Sequence, residues 1–345
     1  MYQLPEKLKN FTPYEPLVGD YKIRLDVNES FVEVDEEKII EAVRGVSLNR
    51  YPDPYATDTV NAFSRLFGVN PALVTAGSGL DELIGLIAAS LLEKGDKLLC
   101  LTPDFSMYAF YSRLYELEVA ELPKSEDMTV DIRAVIDYIN KNNVKALMFS
   151  NPCNPTSLGI EKAEIRRLIT STGALVVLDE AYMDFWDESE SMLSEATDYS
   201  NLIVLRTCSK SCSLAGIRLG FAVAGEKITH ALRTMKSPFN VGVLTQAIGA
   251  AALSDAEGYK RSVQAVKKST LCLYNALTEL NMFGRIFETR TNFIFIKTER
   301  AREIYEELLR KSIAVRCFGG YLRISAGTEE ENSALICALS EIKRK

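Results

Sequence analysis

Apolar residues fall along this chain in two alternating patterns. Short apolar runs recur at 98–101, 146–149, 174–178, 202–205 and 219–223, each the length of a strand buried on both faces. Between several of them the apolar positions return at three- and four-residue spacing, which predicts helices over 131–142 and 161–171. Such alternation predicts an α/β fold, a mostly parallel central sheet with helices on both faces. Ahead of it, Ile39, Ile40 and Val43 predict an amphipathic helix over 35–45, and a second helix covers 57–67, ending at Gly68. Between these, Arg50-Tyr51-Pro52-Asp53-Pro54-Tyr55 carries two prolines and reads as an exposed loop.

From about 226 the pattern changes. Helices are predicted at 226–236, 242–254 and 256–280, followed by a strand at 292–297, a helix at 299–311 and short strands at 313–317 and 321–325. Thr328 with Glu331 three residues later forms a capping box for a last helix. This tail predicts a smaller α+β unit. A large domain is therefore expected over 31–235, with a discontinuous small domain made of 236–345 and an N-terminal arm, 1–30.

Each apolar run of the first part empties into polar residues. Leu101 leads to Thr-Pro-Asp-Phe105, and Phe149 to Ser-Asn-Pro-Cys-Asn154. Leu178 leads to Asp179-Glu-Ala-Tyr182, and Leu205 to Arg-Thr207-Cys-Ser209-Lys210. Open α/β sheets bind ligands at the carboxyl ends of their strands, so these groups are expected to gather at one sheet edge. A lysine buried there sheds its proton easily and can form a Schiff base. A solvated lysine on a surface turn is the other reading of that loop taken alone. At 75–82 the chain reads TAGSGLDE and runs into an apolar helix, so backbone N–H groups beside its glycines can meet a phosphate. A plain helix N-cap explains those residues equally well. The GxGxxG pattern is broken by Glu82, and no acidic ribose-binding residue stands in a clear βαβ frame, which disfavours a dinucleotide.

Charge and composition narrow the chemistry. The formal net charge is -7 with no basic block, against a nucleic-acid partner. The start MYQLPEKLKN has no apolar core and no run is long enough to span a bilayer, which disfavours secretion and membrane insertion. Seven scattered cysteines read as reduced cytosolic thiols. The single histidine, His230, lies in a predicted helix and leaves little for a metal site or a His-based triad. What remains matches the needs of pyridoxal 5′-phosphate. Lys210 would form the Schiff base, and Asp179 would pair with the pyridinium nitrogen. Tyr182 and Asn154 would hold the phenolate oxygen. The helix start at Gly79, Ser209 and Arg218 would meet the phosphate.

The segments NPCNPT (151–156), DEAYMDF (179–185), LRTCSKSCSLAGIRLGF (205–221) and LRISAGT (322–328) resemble the motifs of fold-type I pyridoxal-phosphate aminotransferases. FTPYEP, RYPDP, GLDELI and the closing LRISAGT resemble the histidinol-phosphate group within them, in the same order over nearly the whole chain. The resemblance implies the aspartate aminotransferase-like fold. It implies Lys210, Asp179 and Tyr182 as catalytic, with Lys210 shuttling protons, and Phe105 stacked on the cofactor ring beside Asn154. Gly79, Leu80, Asp81, Thr207, Ser209 and Arg218 would surround the phosphate, and Tyr51 would reach it from the other subunit of a homodimer. Tyr14, Asn154, Arg316 and Arg323 would bind substrate. Arg316 and Arg323 lie in two strand-like segments joined by Phe318-Gly319-Gly320, and a hairpin there puts both on one face. The implied enzyme is cytoplasmic and moves an amino group between L-histidinol phosphate and 2-oxoglutarate. Aromatic amino-acid transamination and a lyase acting on threonine phosphate are the alternatives. Four departures bear on specificity. Phe105 replaces a tyrosine, Ser157 a glycine, NESF stands for NENP, and Leu80 is bulky where a small residue is common.

Overall fold

The computed structural model describes residues 2–12 and 15–344. After the N-terminal arm comes β1 (Ile23–Arg24). The main sheet follows: β2 (Val74–Gly77), β3 (Lys97–Thr102), β4 (Glu118–Pro123), β5 (Ala146–Ser150), β6 (Leu175–Asp179), β7 (Leu202–Thr207) and β8 (Gly220–Ala224). Its order is β2-β8-β7-β6-β5-β3-β4. All are parallel except β8, which runs antiparallel to both neighbours. The segment between β7 and β8 holds only one 3-10 turn, Ala215–Ile217, and a parallel return needs a full crossover. The apolar run alone does not disclose that reversal.

Alternate residues of each central strand enter opposite cores. Leu147, Phe149, Val176, Leu178, Leu202 and Val204 face one side, while Met148, Val177, Ile203 and Leu205 face the other. Burial on both sides is why these strands read as continuous apolar runs. β2 and β4 went unpredicted because they form the sheet's edges: β2 is short, and β4, EVAELP, carries exposed glutamates.

The smaller unit contains β9 (Arg285–Ile286), β10 (Phe293–Lys297), β11 (Ile313–Ala314), β12 (Arg316–Phe318) and β13 (Tyr321–Ser325). Four of these form an antiparallel sheet, β12-β13-β10-β9, over a separate core that includes Ile294, Ile296, Leu322 and Ile324. β11 instead pairs in parallel with β1, and Leu25 enters the same core, so the N-terminal arm docks on this unit. The segment 313–317 is thus two strands facing different partners. Thr328 and Glu331 make the reciprocal capping box ahead of Glu329–Lys343. The helix Val243–Ser254 packs on Thr57–Phe67, and Val241 and Leu253 lie in the main-sheet core.

Candidate active site

A cavity of about 630 Å³ opens at the carboxyl ends of β3, β5, β6 and β7. Asp26 to Glu29 and the β12–β13 hairpin close its other side. Lys210 projects into it from the loop after β7, and that loop is anchored at both ends. Arg206 pairs with Glu180 at 3.2 Å and with Asp184, which also accepts from the Ser211 hydroxyl. Inside the loop Thr207 Oγ1 donates to Ser209 Oγ at 3.0 Å and accepts from the Ser209 amide at 3.1 Å. Lys210 Nζ donates to the Val27 carbonyl at 3.2 Å. Burial, with the positive charge of Arg323 nearby, pulls its pKa down to about 8.

Asp179 ends β6. Its Oδ1 accepts from the Ala181 amide at 2.9 Å and its Oδ2 from the Tyr108 hydroxyl at 2.7 Å. Both bonds favour the carboxylate, yet burial outweighs them and pushes the pKa up to about 7. Tyr182 accepts from Asn28 Nδ2 at 3.0 Å, and burial raises its hydroxyl above the ordinary phenol range. Phe105 stands on the cavity wall, edge-on to Tyr108 with centroids 5.5 Å apart.

On the small-domain side Arg316 and Arg323 are register partners across β12 and β13, so the hairpin does put both on one face. Arg323 Nη1 donates to Asn154 Oδ1 at 2.5 Å and Nη2 to the Asp26 carbonyl at 2.6 Å. Its guanidinium also lies 5.4 Å from the Phe293 ring centre and 5.6 Å from that of Phe318. At the opposite end Arg218 reaches Ser209 Oγ at 3.4 Å and Asp81 at 3.3 Å. Gly79, with φ +80°, begins the helix Gly79–Ser90 beside it, and a Cβ there would come within 2.8 Å of Arg218 Nη2.

The sequence pattern described as Aminotransferase class I and II matches residues 20–339. The chain belongs to that family. It is 37% identical over 345 residues to a histidinol-phosphate aminotransferase of Clostridium kluyveri, covering 98% of this chain and 97% of that one. A histidinol-phosphate aminotransferase of Thermococcus gammatolerans is 36% identical over 346 residues, with 98% and 97% covered. Among solved structures, histidinol-phosphate aminotransferase from Sinorhizobium meliloti in complex with pyridoxal 5′-phosphate superposes with a TM-score of 0.90 at 22% identity. That match covers 100% of this chain and 98% of the other. A double mutant of Thermus thermophilus aspartate aminotransferase gives 0.84 at 21% identity, each chain fully covered. At these identities the structures establish the aspartate aminotransferase-like fold.

The cavity of this aminotransferase fits pyridoxal 5′-phosphate by the chemistry of its donors. A half-buried lysine with a depressed pKa, a buried carboxylate, an aromatic wall and an arginine–serine–helix cradle line a single space. Leu80, Asp81, Phe105, Asn154, Tyr182, Thr207, Ser209, Arg218, Arg316 and Arg323 all line it, together with Lys210 and Asp179. Tyr51 does not join them. It is 83% exposed and stacks on Phe239 with centroids 4.7 Å apart. Tyr14 lies outside the described residues. Sequence reasoning missed Tyr108 and Asn28. The first follows Phe105 by three residues at the start of Met107–Leu114, a spacing that could have flagged it. Asn28 sits at φ +56° in the turn of LDVNES, where nothing in the sequence indicates its contact with Tyr182.

Two of the departures have structural accounts. Ser157 adopts φ +62°, the left-handed region that favours glycine, and its hydroxyl donates to the Glu288 carbonyl at 2.8 Å. Leu80 lies against Gly220, where a Cβ would meet its Cδ2 at 2.8 Å.

Proposed function

We propose that this aminotransferase moves the amino group of L-histidinol phosphate to 2-oxoglutarate, as in histidine biosynthesis, using pyridoxal 5′-phosphate. The observation that carries the reading is the register pair Arg316 and Arg323, facing across one cavity towards Lys210. The shared cavity must accept a phosphate from one substrate and a carboxylate from the other, and arginine binds both in bidentate fashion. The names of the relatives that cover nearly all of the chain point to the same donor.

When bound, the cofactor supplies an electron sink that lowers the cost of removing the donor's carbon-bound proton. The protein's part follows from its own groups. Lys210, with a pKa near 8, is poised to take that proton and return it on the opposite carbon. Asp179, as a carboxylate, holds positive charge at the ring nitrogen. Tyr182 and Asn154 bind the ring oxygen, Phe105 walls the ring, and Ser209, Arg218 and the helix start at Gly79 hold the phosphate. Tyr51, exposed on its two-proline loop, serves the neighbouring subunit's cavity in a homodimer. Seven unpaired cysteines accord with the cytoplasm as its place.

The test offers purified holoenzyme L-histidinol phosphate, phenylalanine and threonine phosphate separately, each with 2-oxoglutarate. Glutamate should form fastest from L-histidinol phosphate. Faster turnover of phenylalanine, or carbon dioxide released from threonine phosphate, would replace this reading with an aromatic transaminase or a lyase.

A further inference from the structure

Behind the main cavity, Lys124 and Cys153 meet in the interior. Lys124 follows the edge strand β4, and Cys153 lies in the loop after β5, next to Asn154. Their side chains are 3% and 4% exposed, and Nζ stands 2.7 Å from Sγ. Sulfur is larger than oxygen, so this contact is closer than an N–H···S bond ordinarily sits, since 2.7 Å is already the short end for N–H···O. Pro103 and Asp104 hold both groups in place. Lys124 Nζ donates to the Pro103 carbonyl at 2.7 Å and pairs with Asp104 at 3.4 Å, while Sγ lies 3.6 Å from the same carbonyl. A second cavity, of about 200 Å³, is lined by both residues and has room for small molecules.

We propose that Lys124 and Cys153 are the two ends of an oxidation-dependent covalent bridge in which one oxygen atom joins Nζ to Sγ. Dioxygen is the oxidant. The neutral lysine amine gives up one hydrogen and the thiol its own. The O–O bond breaks, N–O and O–S bonds form, and the second oxygen leaves as water with the two hydrogens. Nitrogen and sulfur together lose the four electrons that dioxygen gains. Two equivalents of a dithiol reductant reverse the step, restoring amine and thiol and releasing water. Ordinary cysteine oxidation runs from sulfenic to irreversible sulfinic acid, and a held amine diverts it from that course.

Burial pushes the Cys153 thiol up; burial also works to lower Lys124, but Asp104 and Cys153 together outweigh it and keep Lys124 raised as well. Both groups therefore rest protonated, and bridging is slow. Once formed, the bridge ties the end of β4 to the loop carrying Asn154 and removes the cation beside Asp104. Asp104 accepts from the Ser150 hydroxyl, and Ser150 Oγ in turn accepts the Asn154 amide at 3.0 Å, so the change reaches the wall of the main cavity.

The experiment exposes full-length holoprotein to air-saturated buffer, alkylates it, digests it without reductant and maps the peptides by mass. The expected product joins the peptides of Lys124 and Cys153 with a gain of about 14 Da, one oxygen added and two hydrogens lost, and disappears with dithiothreitol. Cleavage after Lys124 by trypsin should be blocked in the same fraction, and buried Cys100 should stay unlinked. Lys124→Met and Cys153→Ser should abolish the product. Should both variants fail to fold, the wild-type comparison with and without reductant decides alone. Recovery of Cys153 as free thiol, sulfinic acid or disulfide, with Lys124 unmodified, overturns the proposal.

Discussion

Asp179 and Lys210 are displaced from their ordinary pKa values in opposite directions by one cause, burial, which penalises the charged form of each. Asp179 stands at about 7 instead of 3.8, and Lys210 at about 8 instead of 10.5. Linkage gives the signs for the cofactor-free protein. The raised Asp179 contributes stability that is full below its unfolded value and is lost as pH climbs through about 7. The lowered Lys210 contributes stability that is full above its unfolded value and is lost as pH falls through about 8. Both groups are therefore least comfortable between those two values, where a cationic ring would compensate Asp179. Without cofactor, Asp179→Asn should be more stable than the wild type near pH 8, by about 1–3 kcal/mol, because a buried charge becomes a neutral isostere. Urea denaturation at that pH and again near pH 4 checks it, with the gap closing at the lower value. A wild type equal to the variant at both would mean that Asp179 carries no uncompensated charge. The same substitution in holoenzyme should abolish most turnover, since charge at the ring nitrogen is lost.

At the scale of elements, two short pieces of secondary structure do most of the positioning. Gly79 starts its helix at φ +80°, so a side chain there is strained by roughly 1–2 kcal/mol and also displaces Arg218. Gly79→Ala should leave the fold intact and weaken cofactor binding about tenfold, read by fluorescence titration of apoprotein. Unaltered affinity would place the phosphate elsewhere. The β12–β13 hairpin is the second piece. Each charge-assisted hydrogen bond contributes about 1.5–3 kcal/mol, so Arg323→Ala should slow both half-reactions by about ten- to a hundredfold. Following each half-reaction separately by cofactor absorbance distinguishes the outcomes. Impairment of only one would break the idea of a shared anion site and direct the search for the donor to uncharged compounds.

For the whole molecule, the open question of design is Tyr51. It stands outside its own chain's cavity, on an exposed loop, with its ring against Phe239. If it serves a neighbouring subunit, then mixing inactive Lys210→Ala with an inactive Tyr51→Phe protein should regenerate some sites with every native group. Activity should rise towards about a quarter of the wild type when subunits exchange freely, because mixed dimers then make up half the population and carry one intact site each. Demonstrated exchange with no recovered activity would confine Tyr51 to its own chain or to no role.

The sequence by itself determined the order of elements wherever burial is two-sided. Central strands such as β5 and β7 read as unbroken apolar runs because both their faces are covered. The capping box at Thr328 was equally legible, since its partners are three residues apart. Lys210, Asp179 and Tyr182 could be picked out because strand ends gather at one edge in any open α/β sheet. Their family motifs then assigned the roles. What only the tertiary structure decided are relations between residues far apart in the chain. The direction of β8, the docking of β1 on β11, the contact of Asn28 with Tyr182 and the bond from Tyr108 to Asp179 all depend on which distant backbone lies alongside. The seating of Val243–Ser254 on Thr57–Phe67 belongs with these relations. Edge strands escaped notice for the opposite reason to the central ones. With a solvated side Glu118–Pro123 carries polar residues, and it becomes a strand only because β3 offers its hydrogen bonds, while buried β2 is four residues long and runs straight into the glycines of the next helix. Periodicity records how deeply a residue is buried; it does not record which partner buries it.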